Sequence, residues 1–214
     1  MLTHDDLTVE NAYQVFEECK DTKALYWGFK EQPLPLSEMQ RIYRRMKECG
    51  KRTVLEVVAY TEAEGLEGAQ MAVECGCDML MGTCFHESIL RLCQQHGIKY
   101  MPFVGEITGR PSILRGSIES MLAEAKALKE QGVYGIDLLG YRYEADAEQL
   151  IAAMVANTDL PICVAGSIDS PARLRFIKQT HPWAFTIGSA FFEKKFGNTI
   201  AEQINNVCEA LAGE

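Results

Sequence analysis

The 214-residue chain contains no apolar run close to the roughly 20 residues that a membrane helix needs. It has no low-complexity tract and no break in composition, so a single domain spanning residues 1–214 is expected. The stretch from Met1 to Glu10 is acidic and lacks the basic-then-apolar pattern of an export signal, so a cytoplasmic protein is expected. Positive charge is also scarce. Twenty-one Lys and Arg stand against 30 Asp and Glu, a net charge of −9. Such a surface repels phosphate backbones, so neither nucleic acid nor a membrane is an expected partner. A local anion pocket built from backbone N–H groups remains compatible with that charge. Among eight cysteines there is no CxxC pair; Cys75 and Cys77 are the one close couple. Zinc sites are usually built on two such clusters or on matched histidines, so buried, reduced thiols are expected instead.

What is present suits a folded globule. Hydrophobic residues make up 47% and charged residues 24%, which excludes disorder for the bulk of the chain. Short apolar runs alternate with longer amphipathic stretches. The runs lie at 24–29, 53–60, 78–82, 99–104, 133–139, 161–166 and 184–189. Helical periodicity fills 37–49, 62–75, 87–96, 117–131, 144–156 and 170–180, with flanking helices at 8–19 and 198–212. Glycines 50, 76 and 132 stop three of these helices, and Ser170-Pro171 reads as a cap followed by proline at the first helical position. Because the apolar runs do not alternate with polar residues, both faces of each strand are covered, as in a parallel sheet wrapped by helices. The helices either cover both faces of an open sheet or ring a barrel. The repeat of about 25 residues and the last two units favour an α/β, TIM-type (β/α) barrel with helical N-terminal and C-terminal flanks. Seven strand runs are visible where such a barrel has eight. The eighth is either missing or hidden between Val104 and Gly116.

The last two units carry the strongest functional signal. Strand 161–166 runs into Gly166-Ser167, and strand 184–189 runs into Gly188-Ser189. Glycine permits close backbone approach to an anion, serine adds a hydroxyl donor, and a following helix adds partial positive charge. The loops after the final two strands of such a barrel commonly form a phosphate cup. The bland alternative for each Gly-Ser pair is a plain turn.

Barrel chemistry sits at the C-terminal strand ends. These ends present Lys30, then Glu56, then His86, then Glu106 with Arg110, then Asp137 with Arg142. Glu56 and Asp137 are acids inside apolar strands. An unpaired buried carboxylate is costly, so each is expected to point into the barrel toward a partner or ligand. The candidate catalytic residues are therefore Asp137, Glu106, Glu56, Lys30 and His86. For the acids the alternative is a structural ion pair, for Lys30 a solvated surface position, and for His86 a place beside a helix start. Arg110, in the long stretch 105–116, is a candidate for gripping a second anionic group, and Arg142 a candidate substrate-binding residue. No cofactor is certain. Glu56, Glu106 and Asp137 offer oxygen ligands that suit Mg²⁺ or Mn²⁺.

With these two turns and the acid at Asp137, the stretch from Leu25 to Phe192 resembles the ribulose-phosphate-binding type of (β/α) barrel. Within it, the unit spacing is most similar to the glycerol uptake operon antiterminator-like proteins. The resemblance implies that Gly166-Ser167 and Gly188-Ser189 hold the phosphate of a small ligand. It departs in two respects: Met1–Leu7 offers no room for the opening strand, and the N-terminal strand ends match no named active-site motif. The leading expectation is a lyase, isomerase or epimerase acting on a sugar-phosphate-like metabolite. The antiterminator resemblance implies the alternative, a non-catalytic glycerol 3-phosphate sensor that contacts RNA. A partner-binding barrel with a vestigial pocket is the third. Phe191, Phe192 and Phe196 either cover the barrel or form a homo-oligomer interface.

Overall fold

The computed structural model describes residues 1–212. The chain opens with a short antiparallel hairpin, β1 (Thr3–His4) and β2 (Leu7–Thr8), followed by helix α1 (Ala12–Cys19). Strand and helix then alternate through β3 (Tyr26–Lys30), α2 (Leu36–Glu48), β4 (Arg52–Val57), α3 (Glu62–Glu74), β5 (Met79–Gly82), α4 (Glu87–Gln95) and β6 (Lys99–Met101). An antiparallel excursion, β7 (Glu106–Thr108) and β8 (Ile113–Arg115), interrupts the series. Alternation resumes with α5 (Ile118–Gln131), β9 (Ile136–Leu138), a 3-10 turn at Gly140–Arg142, α6 (Ala147–Asn157), β10 (Ile162–Val164), α7 (Pro171–Thr180) and β11 (Ala184–Phe185). Helices α8 (Ser189–Phe192) and α9 (Ile200–Ala212) come last. Among the described residues, no helix is long and apolar enough to cross a membrane.

Local chemistry explains where the helices start. Thr61, Ser117, Asp146 and Ser170 each accept a hydrogen bond from the backbone N–H three residues on, capping α3, α5, α6 and α7. Each such cap contributes about 1 kcal/mol. Gly132 closes α5 in the left-handed conformation, with φ of 92°.

Strands β3-β4-β5-β6 form one parallel sheet and β9-β10-β11 another, both in chain order. Backbone hydrogen bonds join the two at both edges. On one side Tyr134 N donates to Tyr100 O and Asp137 N to Pro102 O, both at 2.9 Å. On the other side the first two residues stand in the gap: Met1 N donates to Ile187 O at 2.9 Å and Leu2 N to Gly28 O at 2.8 Å. This corrects two sequence expectations. Met1 and Leu2 supply the missing stave. The stretch between Val104 and Gly116 holds no hidden stave; it is the antiparallel hairpin β7–β8.

Register divides the strand residues into two sets. Lys30, Glu56, Met81 and Met101 pair in one row, and Asp137, Cys163 and Ala184 in another. Val54, Met79, Met81, Met101 and Cys163 form a separate buried cluster inside the ring. The alternate residues, including Phe29, Leu55, Leu80, Tyr100, Leu138 and Val164, pack into the larger core with the helices. Tyr43 of α2 illustrates that outer layer: it stacks on Phe29 at 4.3 Å, and its hydroxyl donates to Val54 O at 2.8 Å. Beside the shallow first stave, an apolar cavity of about 160 Å³ is lined by Tyr26, Val54, Cys163, Trp183, Ile204 and Val207, among others. Helix α9 covers this cavity through Ile200, Ile204 and Val207.

Gly28 is fixed by this packing, since a Cβ there would collide with the Val54 carbonyl. Gly28→Ala is expected to lower the unfolding free energy by about 1–3 kcal/mol, the usual cost of overpacking, read as a lower urea midpoint at unchanged slope.

Candidate active site

The C-terminal ends of the strands carry charge into an otherwise apolar ring. Lys30 ends β3, and its register partner on β4 is Glu56. The Lys30 ammonium lies 2.5 Å from Asp6 Oδ1 and 3.3 Å from Glu56 Oε1. All three side chains are buried. Burial alone pulls the Lys30 pKa down, but Glu56 and the Asp6 hydrogen bond more than offset it, so the pKa lies above the usual lysine value. Lys30 is therefore a fixed cation. The expectation of a solvated Lys30 is overturned, and a neutral nucleophilic amine is disfavoured as well.

Asp6 reaches this place on the β1–β2 turn, where Asp5 and Asp6 hold φ of 48° and 66°. Asp and Asn tolerate this left-handed region better than most residues. The Thr8 hydroxyl fastens the hairpin to β3, accepting from Lys30 N at 2.9 Å and donating to Lys30 O at 2.8 Å. Two arginines converge on the same carboxylate. Arg142 follows β9 and approaches Asp6 Oδ1 at 3.3 Å. Arg110, at the tip of the β7–β8 hairpin, approaches Asp6 Oδ2 at 3.3 Å and Glu31 Oε1 at 3.1 Å. Tyr60 ties that tip down, donating to Gly109 O at 2.7 Å and lying 2.8 Å from Ser112 Oγ.

Asp137 is fully buried, and neither of its carboxyl oxygens has a hydrogen-bond partner among the described residues. Burial pushes its pKa well above the usual carboxylate range, and the charge of Glu56 pushes it further, against the opposing pull of Lys30. Asp137 therefore holds a proton where Glu56 and Lys30 make their ion pair.

Both Gly-Ser turns lie beside this cluster. Gly166 and Ser167 hold φ of 80° and 58°. Gly166, Ser167, Gly188 and Ser189 line one cavity of about 180 Å³, together with Asp6, Lys30, Glu56 and Arg142. The Arg142 side chain crosses the first turn so closely that a Cβ on Gly166 would sit 2.8 Å from its Nε. A Cβ on Gly188 would collide with Thr3, so the N-terminal hairpin packs directly on the second turn. The Asp5 backbone N–H donates to Ser189 Oγ at 3.2 Å.

Of the residues singled out in the sequence, the structure brings together Lys30, Glu56, Asp137, Arg110, Arg142 and the two Gly-Ser pairs. It leaves two of them apart. Glu106 is exposed at the start of β7, paired in register with Arg115. His86 occupies the N-cap position of α4, half-buried, without making a side-chain cap. Glu56, Glu106 and Asp137 thus do not gather into an oxygen cage. Among the described residues, no group of three His, Cys, Asp or Glu side chains is placed to hold a metal ion. All eight cysteines are free thiols, five of them buried. Asp6 was missed in the sequence because it lies in a short acidic turn with no periodicity around it.

No family model matches the chain, and no curated protein does. Solved structures do. One described as native KDPGal aligns over 95% of this chain and 90% of its own, with TM-score 0.70 and 15% identity. The N-acetylmannosamine-6-phosphate 2-epimerase from Clostridium perfringens aligns over 84% of this chain and 78% of its own, with TM-score 0.61 and 11% identity. The glycerol uptake operon antiterminator regulatory protein from Listeria monocytogenes str. 4b F2365 aligns over 83% and 87%, with TM-score 0.58 and 14% identity. At these identities the likeness establishes the fold: the chain is a TIM-type (β/α) barrel.

Two stability measurements check the charge assignments. Lys30→Met leaves buried Asp6 and Glu56 short of their cation, and is expected to cost about 3–5 kcal/mol in urea unfolding. Asp137 acts in the opposite sense. Its raised pKa means that the native protein keeps a proton the unfolded chain releases above about pH 4. The stability it contributes is complete below that pH and is lost as pH climbs through the native value. Asp137→Asn cannot ionise, so its stability relative to the unsubstituted protein is expected to rise as pH climbs above about 4.

Proposed function

We propose that the cavity binds a small phosphorylated, sugar-phosphate-like metabolite and that the protein is a lyase or an isomerase/epimerase. One observation carries this reading: the Gly-Ser turns of two consecutive staves line a single cavity with a buried Lys–Glu pair. Backbone amides at 166–167 and 188–189 hold the phosphate. The substrate carbon skeleton then extends toward Lys30 and Glu56. Glu56 takes a proton from carbon next to a carbonyl, and the charge of Lys30 stabilises the oxyanion that develops.

The structural neighbours support the same coarse theme, since one of them is a 2-epimerase of a 6-phosphate sugar. The antiterminator neighbour supports ligand binding without chemistry as the second reading. RNA contact finds less support. In the basic segment of α2, Arg41 is paired with Glu38, and Arg45 with Glu17 and Glu48. The acidic balance and the free thiols fit a cytoplasmic setting.

Calorimetry with glycerol 3-phosphate and a panel of sugar phosphates is expected to show binding that the unphosphorylated compounds lack. Gly166→Ala, which strains a positive φ and displaces Arg142, is expected to weaken it by about tenfold or more. Turnover of a panel member is expected to fall by about 10²–10⁴-fold in Glu56→Gln with phosphate binding retained. Binding with no turnover of any member supports the sensor reading instead.

A further inference from the structure

Asp6 is an unusual occupant of the barrel mouth. Its carboxylate draws in three cations that come from three separate elements. Lys30 Nζ lies at 2.5 Å, Arg142 Nη2 at 3.3 Å and Arg110 Nε at 3.3 Å. Arg142 also reaches the same oxygen through Nη1 at 3.4 Å. Asp6 is itself buried, and its Oδ2 makes no hydrogen bond that satisfies it. No strand or helix carries this carboxylate. It rides on a two-residue turn in which both residues hold positive φ. Two of the cations lie outside the strands: Arg110 stands on a hairpin tip, and Arg142 follows a strand end.

We infer that Lys30, Arg110 and Arg142 form a receptor for a carboxylate on the substrate, and that Asp6 is an internal stand-in that the substrate displaces. The charge around the cluster fits this. Lys30, Arg110 and Arg142 face the carboxylates of Asp6, Glu56 and Glu31. When the β1–β2 turn swings out, three cations face two anions, and one incoming carboxylate restores the balance. Planar guanidinium groups suit a carboxylate, which each can grip through two donors. Arg142 also touches the Gly166 turn, so the receptor adjoins the phosphate cup. The substrate class is therefore a short phosphorylated carboxylic acid, its phosphate at the Gly-Ser turns and its carboxylate at the three cations. This rests on the phosphate reading given above.

Removing the internal competitor tests it. Asp6→Gly deletes the carboxylate and eases the positive φ; Asp6→Asn keeps a residue that tolerates the turn and serves as the second variant. Thermal melting verifies that each is folded. Three probes are titrated by calorimetry: 3-phosphoglycerate, glycerol 3-phosphate and D-glycerate. In both variants 3-phosphoglycerate is expected to bind about tenfold tighter than in the unsubstituted protein, while glycerol 3-phosphate changes by less than about threefold. Adding Arg110→Gln is expected to abolish the gain. An equal gain for both phosphorylated probes marks a general charge effect and overturns the proposal, as does no gain for 3-phosphoglycerate. If glycerol 3-phosphate binds no form of the protein, the phosphate reading fails. D-glycerate then decides the carboxylate site alone: a gain in Asp6→Gly that Arg110→Gln removes supports it, and no gain overturns it.

Discussion

The buried ammonium of Lys30 is the charge around which the barrel mouth is arranged. A lysine so enclosed is tolerable only if anions surround it, because desolvation otherwise drives off its proton. Asp6 and Glu56 provide them. Each partner then constrains its own neighbourhood. Asp6 pulls the β1–β2 turn inward, and with it the tip of the β7–β8 hairpin through Arg110. Glu56, already committed to Lys30, raises the proton affinity of Asp137 across the ring. One cation thus links the start of the chain, the excursion after β6 and the middle of β9.

The ring interior beside the cluster is filled by Val54, Cys163 and the methionines 79, 81 and 101, whose flexible thioethers suit an irregular interior. Above it lie the Gly-Ser turns and the cavity. The boundary between packed interior and open mouth is drawn by the row that contains Lys30 and Glu56. Chemistry and packing meet there, which is why both acids were conspicuous inside apolar strands.

Much of the barrel was legible in the sequence, because its signals are local. Glycine stops, Ser170-Pro171 and apolar runs of strand length report on a few adjacent residues, and the structure contains each of those elements. The paired Gly-Ser turns were equally local. The first stave was not legible: Met1 and Leu2 are recognisable as barrel wall only through Ile187 and Gly28, which are distant in the chain. Likewise the β7–β8 hairpin has three-residue strands whose pairing shows no long apolar run. Lys30 looked solvated because Glu31 and Gln32 follow it, yet a strand end turns successive residues to opposite sides. Asp6 carried no pattern at all. Its role depends on Arg110 and Arg142, which lie far along the chain.

The hydrogen bond from Met1 to Ile187 joins residues 186 positions apart, and Leu2 holds the opposite side of the same seam. Synthesis delivers Met1 long before Ile187. Until Ile187 has emerged, β3 presents an unpaired edge, and the residues destined for the ring interior have no lumen to enter. Closure therefore waits on Ile187, and until then the β3 edge has to be guarded against intermolecular pairing.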